Sequence, residues 1–469
     1  MADIKIPGHI FKGYDIRGIY PVDLNEKNIV PIVKAIYKFL HRGKPENEPL
    51  TLVVGTDMRI SSPSLTAAAI KTLVDLGANV IDIGMVSTPT FYFAVHHFGY
   101  EAGFQVTASH NPKEWNGIKI VKNGKRGLVK IGKPTGLEEI KAMALAGETT
   151  PSAKKGSVIK KTGILEDEVD NALRIVGNPQ LKKFKIIADP ANAMGSQYIS
   201  ALFEKVPVDL IKMNFDLDGN FPAHQPDPLQ FDTLRDLQAK VISEKADLGL
   251  APDGDGDRLF FIDEKGQVIP GNMITALVGR EMLKDHPGEK ILFDIRNVFT
   301  PRKIVEEFGG EAGITKVGHA YITESLNETG AIFAGEGSGH YFFRDTGNAE
   351  SQMPIILTVL KVLTNENKPL SQIIEEARKS FELGEVNFRV SNAPDIIKAV
   401  EEKYKDGQLS TLDGITVEFS TWRMNLRTSN TEPLLRLNME AYDKSVLKEK
   451  SEEVRSLIDS VAIKSQDAS

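Results

Sequence analysis

The sequence predicts an α/β fold of three similar units followed by a smaller α+β domain, and three observations carry that expectation. Apolar runs of strand length alternate with segments of helical period through most of the chain, the pattern of α/β layers with mostly parallel strands. The alternation recurs three times, as internal repetition would produce, although one large sheet would accommodate it as well as three domains. The end of the chain changes to two-residue alternation, as half-buried strands of an antiparallel sheet require. At 469 residues the chain is too long for a single core and suits about three or four domains.

In the first unit Leu52-Val53-Val54-Gly55 predicts a strand, Ser64 to Leu76 a helix, and Asn79 to Ile83 the following strand, with Phe104-Gln105-Val106 as a further short one. The stretch Glu148 to Gly156, with its Thr, Pro, Ser and Lys, reads as a linker. The second unit has Lys185 to Asp189 as strand, Met194 to Phe203 as helix, Val208 to Ile211 as strand, and Leu259 to Ile262 as a later strand. The third has the strand Lys290 to Phe293, the helix Pro301 to Phe308, and the strands Gly313 to Val317 and Ala331 to Ala334. Val386 to Val390, Ile415 to Phe419 and Leu435 to Met439 then alternate as half-buried strands, and Val446 to Val461 is an amphipathic helix.

A hydrophobic share of 41% and a charged share of 26% are those of an ordinary soluble globular protein. The formal net charge of −7 argues against a binder of the phosphate backbone, so attraction for anions is expected inside a cleft. Without cysteine there is no disulfide, thiolate zinc site or cysteine nucleophile. Asp3, Lys5, Pro7 and His9 interrupt the start where a signal peptide needs an apolar stretch, and no run reaches the roughly 20 apolar residues of a membrane span. The expectation is a cytoplasmic enzyme that engages neither nucleic acid nor membrane.

Asp253-Gly254-Asp255-Gly256-Asp257-Arg258 carries the plainest chemistry. Three carboxylates so close together repel unless neutralised, and a hard ion such as Mg²⁺ takes few carboxylates and leaves positions for water or phosphate oxygens. Arg258 is suited to neutralising the acids or to contacting the phosphate. An EF-hand competes, since Glu264 falls twelve positions along, but Arg258 stands where that loop needs glycine and a strand follows. A solvated Asp/Gly turn stays open.

Thr107-Ala108-Ser109-His110-Asn111-Pro112 follows a strand, and its proline disfavours helical geometry at Asn111. Ser109 is therefore expected on a sharp, exposed loop, as the carrier of a phosphoryl group. A hydrolase nucleophile would need a G-x-S-x-G elbow, absent here, while a turn serine bonded to its own backbone is the plainer alternative. Arg427-Thr428-Ser429-Asn430-Thr431-Glu432-Pro433 packs a guanidinium, three hydroxyls and an amide into a loop suited to phosphate oxygens, against a capping box from Ser429 to Glu432. Gly335-Glu336-Gly337-Ser338-Gly339-His340 offers a carboxylate and a hydroxyl that match vicinal sugar hydroxyls, against a plain Gly-rich turn. His96 and His97 read as packing or surface residues, and Asp216 to Pro222 as a structural turn.

In this order the motifs resemble the α-D-phosphohexomutase family, and within it the bacterial and archaeal phosphomannomutase/phosphoglucomutase group, over essentially the whole chain. Thr107 to Pro112 is similar to the phosphoserine loop, Asp253 to Arg258 to the metal loop, Gly335 to His340 to the sugar-recognition loop, and Arg427 to Thr431 to the phosphate-binding loop. The resemblance implies four domains around a central cleft: mixed α/β domains I, II and III over 1–154, 155–264 and 265–378, and an α+β domain IV over 379–469. It implies phosphorylation of Ser109 and Mg²⁺ held by Asp253, Asp255, Asp257 and a phosphate oxygen on Ser109. Lys119, its pKa lowered by neighbouring cations, would transfer protons, with His110 as the second candidate and Arg258 stabilising charge. Tyr14, Arg17, Arg296 and His319 would contact substrate, alongside Glu336, Gly337, Ser338, Gly339, His340 and the loop of Arg427, Thr428, Ser429, Asn430 and Thr431. Arg296 stands where many relatives carry lysine. Gly337 stands where phosphoglucosamine mutases typically carry glutamine, which disfavours that substrate.

The implied reaction interconverts hexose 1-phosphate and hexose 6-phosphate, of mannose, glucose or both, with hexose 1,6-bisphosphate as intermediate and activator. The partners are then small sugar phosphates and the chain a monomer or weak dimer. The rivals are a phosphoglucosamine mutase, a metal-dependent sugar phosphatase, and a silent sugar-phosphate-binding module.

Overall fold

The structure, a computed structural model, describes residues 5–45, 47–147, 154–428 and 434–463. These residues form four separate sheets, which decides between one large sheet and several domains.

The first three sheets share one plan. In the first, Asn79–Met85, Thr51–Thr56 and Ala102–Val106 run parallel, and Trp115–Asn123 and Ile16–Ile19 continue antiparallel. The second has Val208–Lys212, Phe184–Ala188 and Leu248–Pro252 parallel, then Leu259–Asp263 and Val268–Ile269 antiparallel. The third has Glu311–Thr315, Lys290–Asp294 and Phe333–Gly335 parallel, then Tyr341–Phe343 and Ala349–Glu350 antiparallel. Each of these sheets thus has the expected majority of parallel strands and adds an antiparallel pair at one edge, which makes the three domains mixed α/β as implied. Helical crossovers make the parallel neighbours, whereas a short turn can join only antiparallel ones.

That short turn places the chemistry. It connects the last parallel strand to its antiparallel neighbour across 107–114 in the first sheet, 253–258 in the second and 336–340 in the third. Three of the four motif loops therefore occupy one and the same position of a repeated unit. A second repetition lies beside it: the central parallel strands lead into Asp57, Asp189 and Asp294. Each of these accepts the backbone N–H two residues on, from Arg59 at 3.0 Å, Ala191 at 2.9 Å and Arg296 at 2.8 Å. Open α/β sheets gather ligands at these carboxyl ends of strands.

The other expected elements are present with ends displaced by a residue or two. Helix Ser62–Asp75 starts early because Pro63 is tolerated in a first turn, where its missing N–H has no partner to lose. Strand Phe381–Phe388 begins well before Val386, since a bulge between Glu382 and Glu385 interrupts the alternation that marks a strand. Ser157–Lys160 pairs with Asn79–Asp82 and so extends the first sheet past the expected boundary at 154; residues 148–153 of the expected linker lie outside the described residues.

The C-terminal sheet is wholly antiparallel, in the order Phe381–Phe388, Leu435–Ala441, Trp422–Thr428, Ile415–Glu418, Gln408–Ser410. Helices Ala393–Lys403 and Lys444–Val461 pack on it to form a separate core. The second and third sheets instead share one apolar core around helices Gly271–Asp285 and Met353–Glu366, whose residues are buried on nearly every side. Among the described residues no helix is long and apolar enough to cross a membrane.

Candidate active site

The turns of the first and second sheets meet at Ser109. Its φ of +51° is a left-handed conformation uncommon outside glycine, so the turn is as sharp as expected. It is not exposed, however: Ser109 is 1% accessible, because the loop of the second sheet folds over it. Arg59, wholly buried, donates to the carbonyls of Ser109, Asn111 and Pro112 at 2.7 Å and of Trp115 at 3.0 Å. Arg17 donates to Ala108 O at 3.3 Å and Asn111 Oδ1 at 2.6 Å while Asp15 holds its other edge, and Gln225 donates to His110 O at 2.9 Å. The loop's backbone is thus tied down by two guanidiniums and an amide.

Asp253, Asp255 and Asp257 are at most 1% exposed, which removes the solvated turn, and their loop joins two antiparallel strands, which removes the EF-hand. Ser109 Oγ donates to Asp253 Oδ2 at 3.0 Å, and Thr88 Oγ1 to Asp255 Oδ2 at 2.7 Å. Oxygens of all three aspartates lie within 4.8 Å of one another, and Asp255 Oδ1 and Asp257 Oδ1 are buried without hydrogen-bond partners. Such orphaned acceptors are costly, and a hard cation satisfies them; the donor set fits Mg²⁺. Burial and then the charges of Asp255 and Asp257 push Asp253 up to about 7. Asp257 is held well below the usual carboxylate range, burial being outweighed by Lys119, His340 and Arg258.

Lys119 corrects an expectation. Its ammonium lies 2.6 Å from Asp255 Oδ2 and bonds to Asp257 Oδ2, so the neighbours that dominate are anions rather than cations. Burial lowers its pKa, but Asp255 and Asp257 raise it further, and it is a firmly held ammonium at neutral pH. His110, with Nδ1 3.1 Å from Ser109 Oγ, is the opposite: burial and then Arg258 and Arg17 hold its pKa well below the ordinary value, leaving a neutral imidazole. Arg258 stands 3.8 Å from Asp253 Oδ2 and from Asp227 Oδ1, with Nη1 lacking a hydrogen-bond partner.

The third loop joins the same cluster through His340. Its Nδ1 lies 2.8 Å from Glu336 Oε2 and its Nε2 3.4 Å from Asp257 Oδ1; against burial, these two carboxylates raise its pKa to about 9. Ser338 Oγ pairs with the same Nδ1 at 2.9 Å, and Gly339 takes a φ of +87° that glycine permits. Glu336 Oε1 accepts the Gly318 N–H at 3.0 Å and lies 3.5 Å from Arg296 Nη2. Asp294 grips Arg296 with both oxygens at 2.9 Å and also accepts the Gly337 N–H at 2.6 Å. Tyr14 donates to Val317 O at 3.2 Å and meets the His319 ring edge-on at 5.3 Å; burial, then Lys130 and Lys119, keep His319 neutral.

Arg427 stands apart from the aspartates. It is buried and bonded to Glu385 at 2.7 Å, with Nε unpartnered, and after burial the charge of Arg296 is what lowers its pKa most. Thr428 is exposed, and Ser429, Asn430 and Thr431 lie outside the described residues. Sequence reasoning missed Arg59, Asp294, Thr88 and Gln225. A signal existed for the first two: Asp57-Met58-Arg59 and Asp294-Ile295-Arg296 repeat a D-x-R pattern at equivalent strand ends.

Comparison with known proteins agrees with this arrangement. The sequence matches "Phosphoglucomutase/phosphomannomutase, alpha/beta/alpha domain I" over residues 8–145, domain II over 167–266, domain III over 270–381 and the C-terminal domain over 385–457. It is 38% identical over 459 residues to a phosphomannomutase of Vibrio cholerae, covering 96% of this chain and 98% of that one. A phosphomannomutase of Methanocaldococcus jannaschii is 38% identical over 454 residues, covering 96% and 97%. A crystal structure of a phosphoglucomutase/phosphomannomutase family protein from Burkholderia thailandensis superposes with a TM-score of 0.87 at 29% identity, covering 97% and 98%.

Proposed function

The chain belongs to the phosphoglucomutase/phosphomannomutase family, and from that premise we propose that it interconverts the 1- and 6-phosphates of mannose, glucose or both through phosphoserine 109 and a hexose 1,6-bisphosphate. The observation that supports this best is the buried contact of Ser109 Oγ with Asp253 at 3.0 Å, in a cluster whose remaining carboxylate oxygens want a cation.

Asp253, Asp255 and Asp257, with an oxygen of the phosphoryl group on Ser109, would hold Mg²⁺, which when bound neutralises charge on the transferring group. Arg258 offers its unpartnered Nη1 to the same oxygens. His110, neutral and with Nδ1 3.1 Å from Ser109 Oγ, takes the proton of the attacking sugar hydroxyl and returns it to Ser109 Oγ as the phosphoryl group leaves. Lys119, paired with Asp255 and Asp257, brings a positive charge to the transferring group. Glu336 and Ser338 orient two ring hydroxyls, with Gly337, Gly339, His340, Tyr14, Arg17 and His319 around them. Arg296, Arg427 and the Thr428–Thr431 loop hold the phosphate that is not reacting. Binding at that remote phosphate orients the reacting end, and well-oriented proximity is worth roughly 7–11 kcal/mol at its limit. Burial of Ser109 protects its phosphoester from water.

Phosphorus NMR of the protein with Mg²⁺ and mannose 1-phosphate, glucose 1-phosphate or glucosamine 1-phosphate tests this reading. Conversion of the first or second to its 6-phosphate is expected. Release of inorganic phosphate alone, or turnover of glucosamine 1-phosphate alone, would overturn it.

A further inference from the structure

The C-terminal domain grips the main chain on either side of Arg296, and we propose that Arg423 and Glu440 are positioning residues for that arginine. The inference rests on the reading of Arg296 as a sugar-phosphate contact. Arg296 lies on the short segment between strand Lys290–Asp294 and helix Phe299–Glu307. Arg423 Nη1 donates to Ile295 O at 2.8 Å and to Arg296 O at 3.3 Å. Glu440 accepts the Val298 N–H at 2.6 Å and the Phe299 N–H at 3.1 Å, and so caps the helix that leaves the segment. The two side chains lie 3.3 Å apart and are 1% and 0% exposed. Glu418 continues the chain, 3.3 Å from Arg423 Nε and bonded to Arg302 of the same helix.

The division of labour is specific. Asp294, from the third sheet, fixes the Arg296 guanidinium, while Arg423 and Glu440, from another domain, fix its backbone on both sides. Arg423 and Arg427 are four residues apart on strand Trp422–Thr428, hence on one face and about 13 Å apart at strand rise. The strand that clamps Arg296 therefore also carries Arg427, and one rigid element sets the spacing of the two arginines assigned to the remote phosphate. Apolar residues would seal such a seam at equal or greater stability. Directional bonds to the carbonyls and amides of a particular segment are what a clamp needs.

A double-mutant cycle on kcat/KM for hexose 1-phosphate, with thermal unfolding followed in parallel, separates this role from plain interdomain packing. Arg423→Gln and Glu440→Gln are each expected to lower kcat/KM about tenfold or more, in kcat as well as KM, as misplacement of an orienting group does. In an Arg296→Ala background the same changes are expected to cost less than about threefold, because the residue they position is gone. Arg423→Lys, which keeps the positive charge between Glu440 and Glu418, is expected to recover part of the loss and serves as the probe if Arg423→Gln does not fold. Losses of equal size in both backgrounds, or a lowered Tm with kcat and KM both unchanged, would overturn the inference while leaving the mutase reading intact. Absence of turnover in the wild-type enzyme would overturn both.

Discussion

Gly254 faces the main-chain carbonyl of Ser109 so closely that a β-carbon on it would collide with that oxygen. The distance from Ser109 Oγ to Asp253 is therefore set by backbone resting on backbone, not by side chains that could adjust. Gly254→Ala is expected to push the two loops apart and to lower kcat/KM by about 100-fold, while destabilising the fold by only about 1–3 kcal/mol. Steady-state kinetics beside urea unfolding checks both halves; near-normal turnover would mean that the loops tolerate separation.

Arg59 satisfies three carbonyls of the Ser109 loop and that of Trp115, where the next strand begins, with one planar fork. A lysine cannot reach them together, and each freed, buried oxygen costs about 1–3 kcal/mol. Arg59→Lys is expected to lose roughly 3 kcal/mol or more in urea unfolding and to slow phosphoryl transfer to and from Ser109. Unchanged stability would show that the loop holds its shape unaided.

Asp255 is a buried carboxylate between Asp253 and Lys119, whose ammonium lies 2.6 Å from its Oδ2. Removing its charge relieves repulsion on one side, gives up an ion pair on the other and weakens the proposed cation site. Saturating Mg²⁺ is expected to raise the wild-type Tm, since a ligand at 100 times its Kd adds about 2.7 kcal/mol. Asp255→Asn is expected to keep the fold, lose most turnover and show a much smaller Mg²⁺-dependent shift in Tm. Equal shifts in both proteins would place the ion elsewhere.

Glu168 is buried on helix Ile164–Ile175, with Thr90 Oγ1 donating to it at 2.6 Å, and burial pushes its pKa from 4.5 to about 7. Its folded form keeps the proton up to that pH, whereas the unfolded chain releases it near 4.5. The stability due to the neutral form is complete below the lower value and lost as pH rises through the upper one, a fall of roughly 3 kcal/mol. Glu168→Gln cannot ionise, so its stability relative to wild type is expected to climb by about that amount from about pH 4.5 to pH 8 in urea titrations. A constant difference would contradict the assignment.

What was legible in the sequence was whatever short-range chemistry writes. Strand and helix periods revealed three repeats, and Asp, Gly, Ser and Pro clusters revealed the loops, because a turn declares itself within a few residues. What was not legible depended on distant neighbours. Lys119 was expected to lose its proton readily, but Asp255 and Asp257, from the next domain, raise its pKa. Ser109 was expected in the open, but Gly254 of the next domain covers it. Arg59 went unread although Asp57-Met58-Arg59 repeats the D-x-R pattern of Asp294-Ile295-Arg296, since an arginine that serves buried carbonyls looks like any surface arginine until its strand is placed.

Mass spectrometry of the Ser109 peptide, after exposure to glucose 1,6-bisphosphate and again after a chase with hexose monophosphate, decides whether Ser109 carries the phosphoryl group in turnover. One phosphoryl group is expected on that peptide, with its removal during the chase as hexose bisphosphate appears in solution, and neither event in Ser109→Ala. A phosphoryl group on another residue, or sustained turnover by Ser109→Ala, would contradict that expectation.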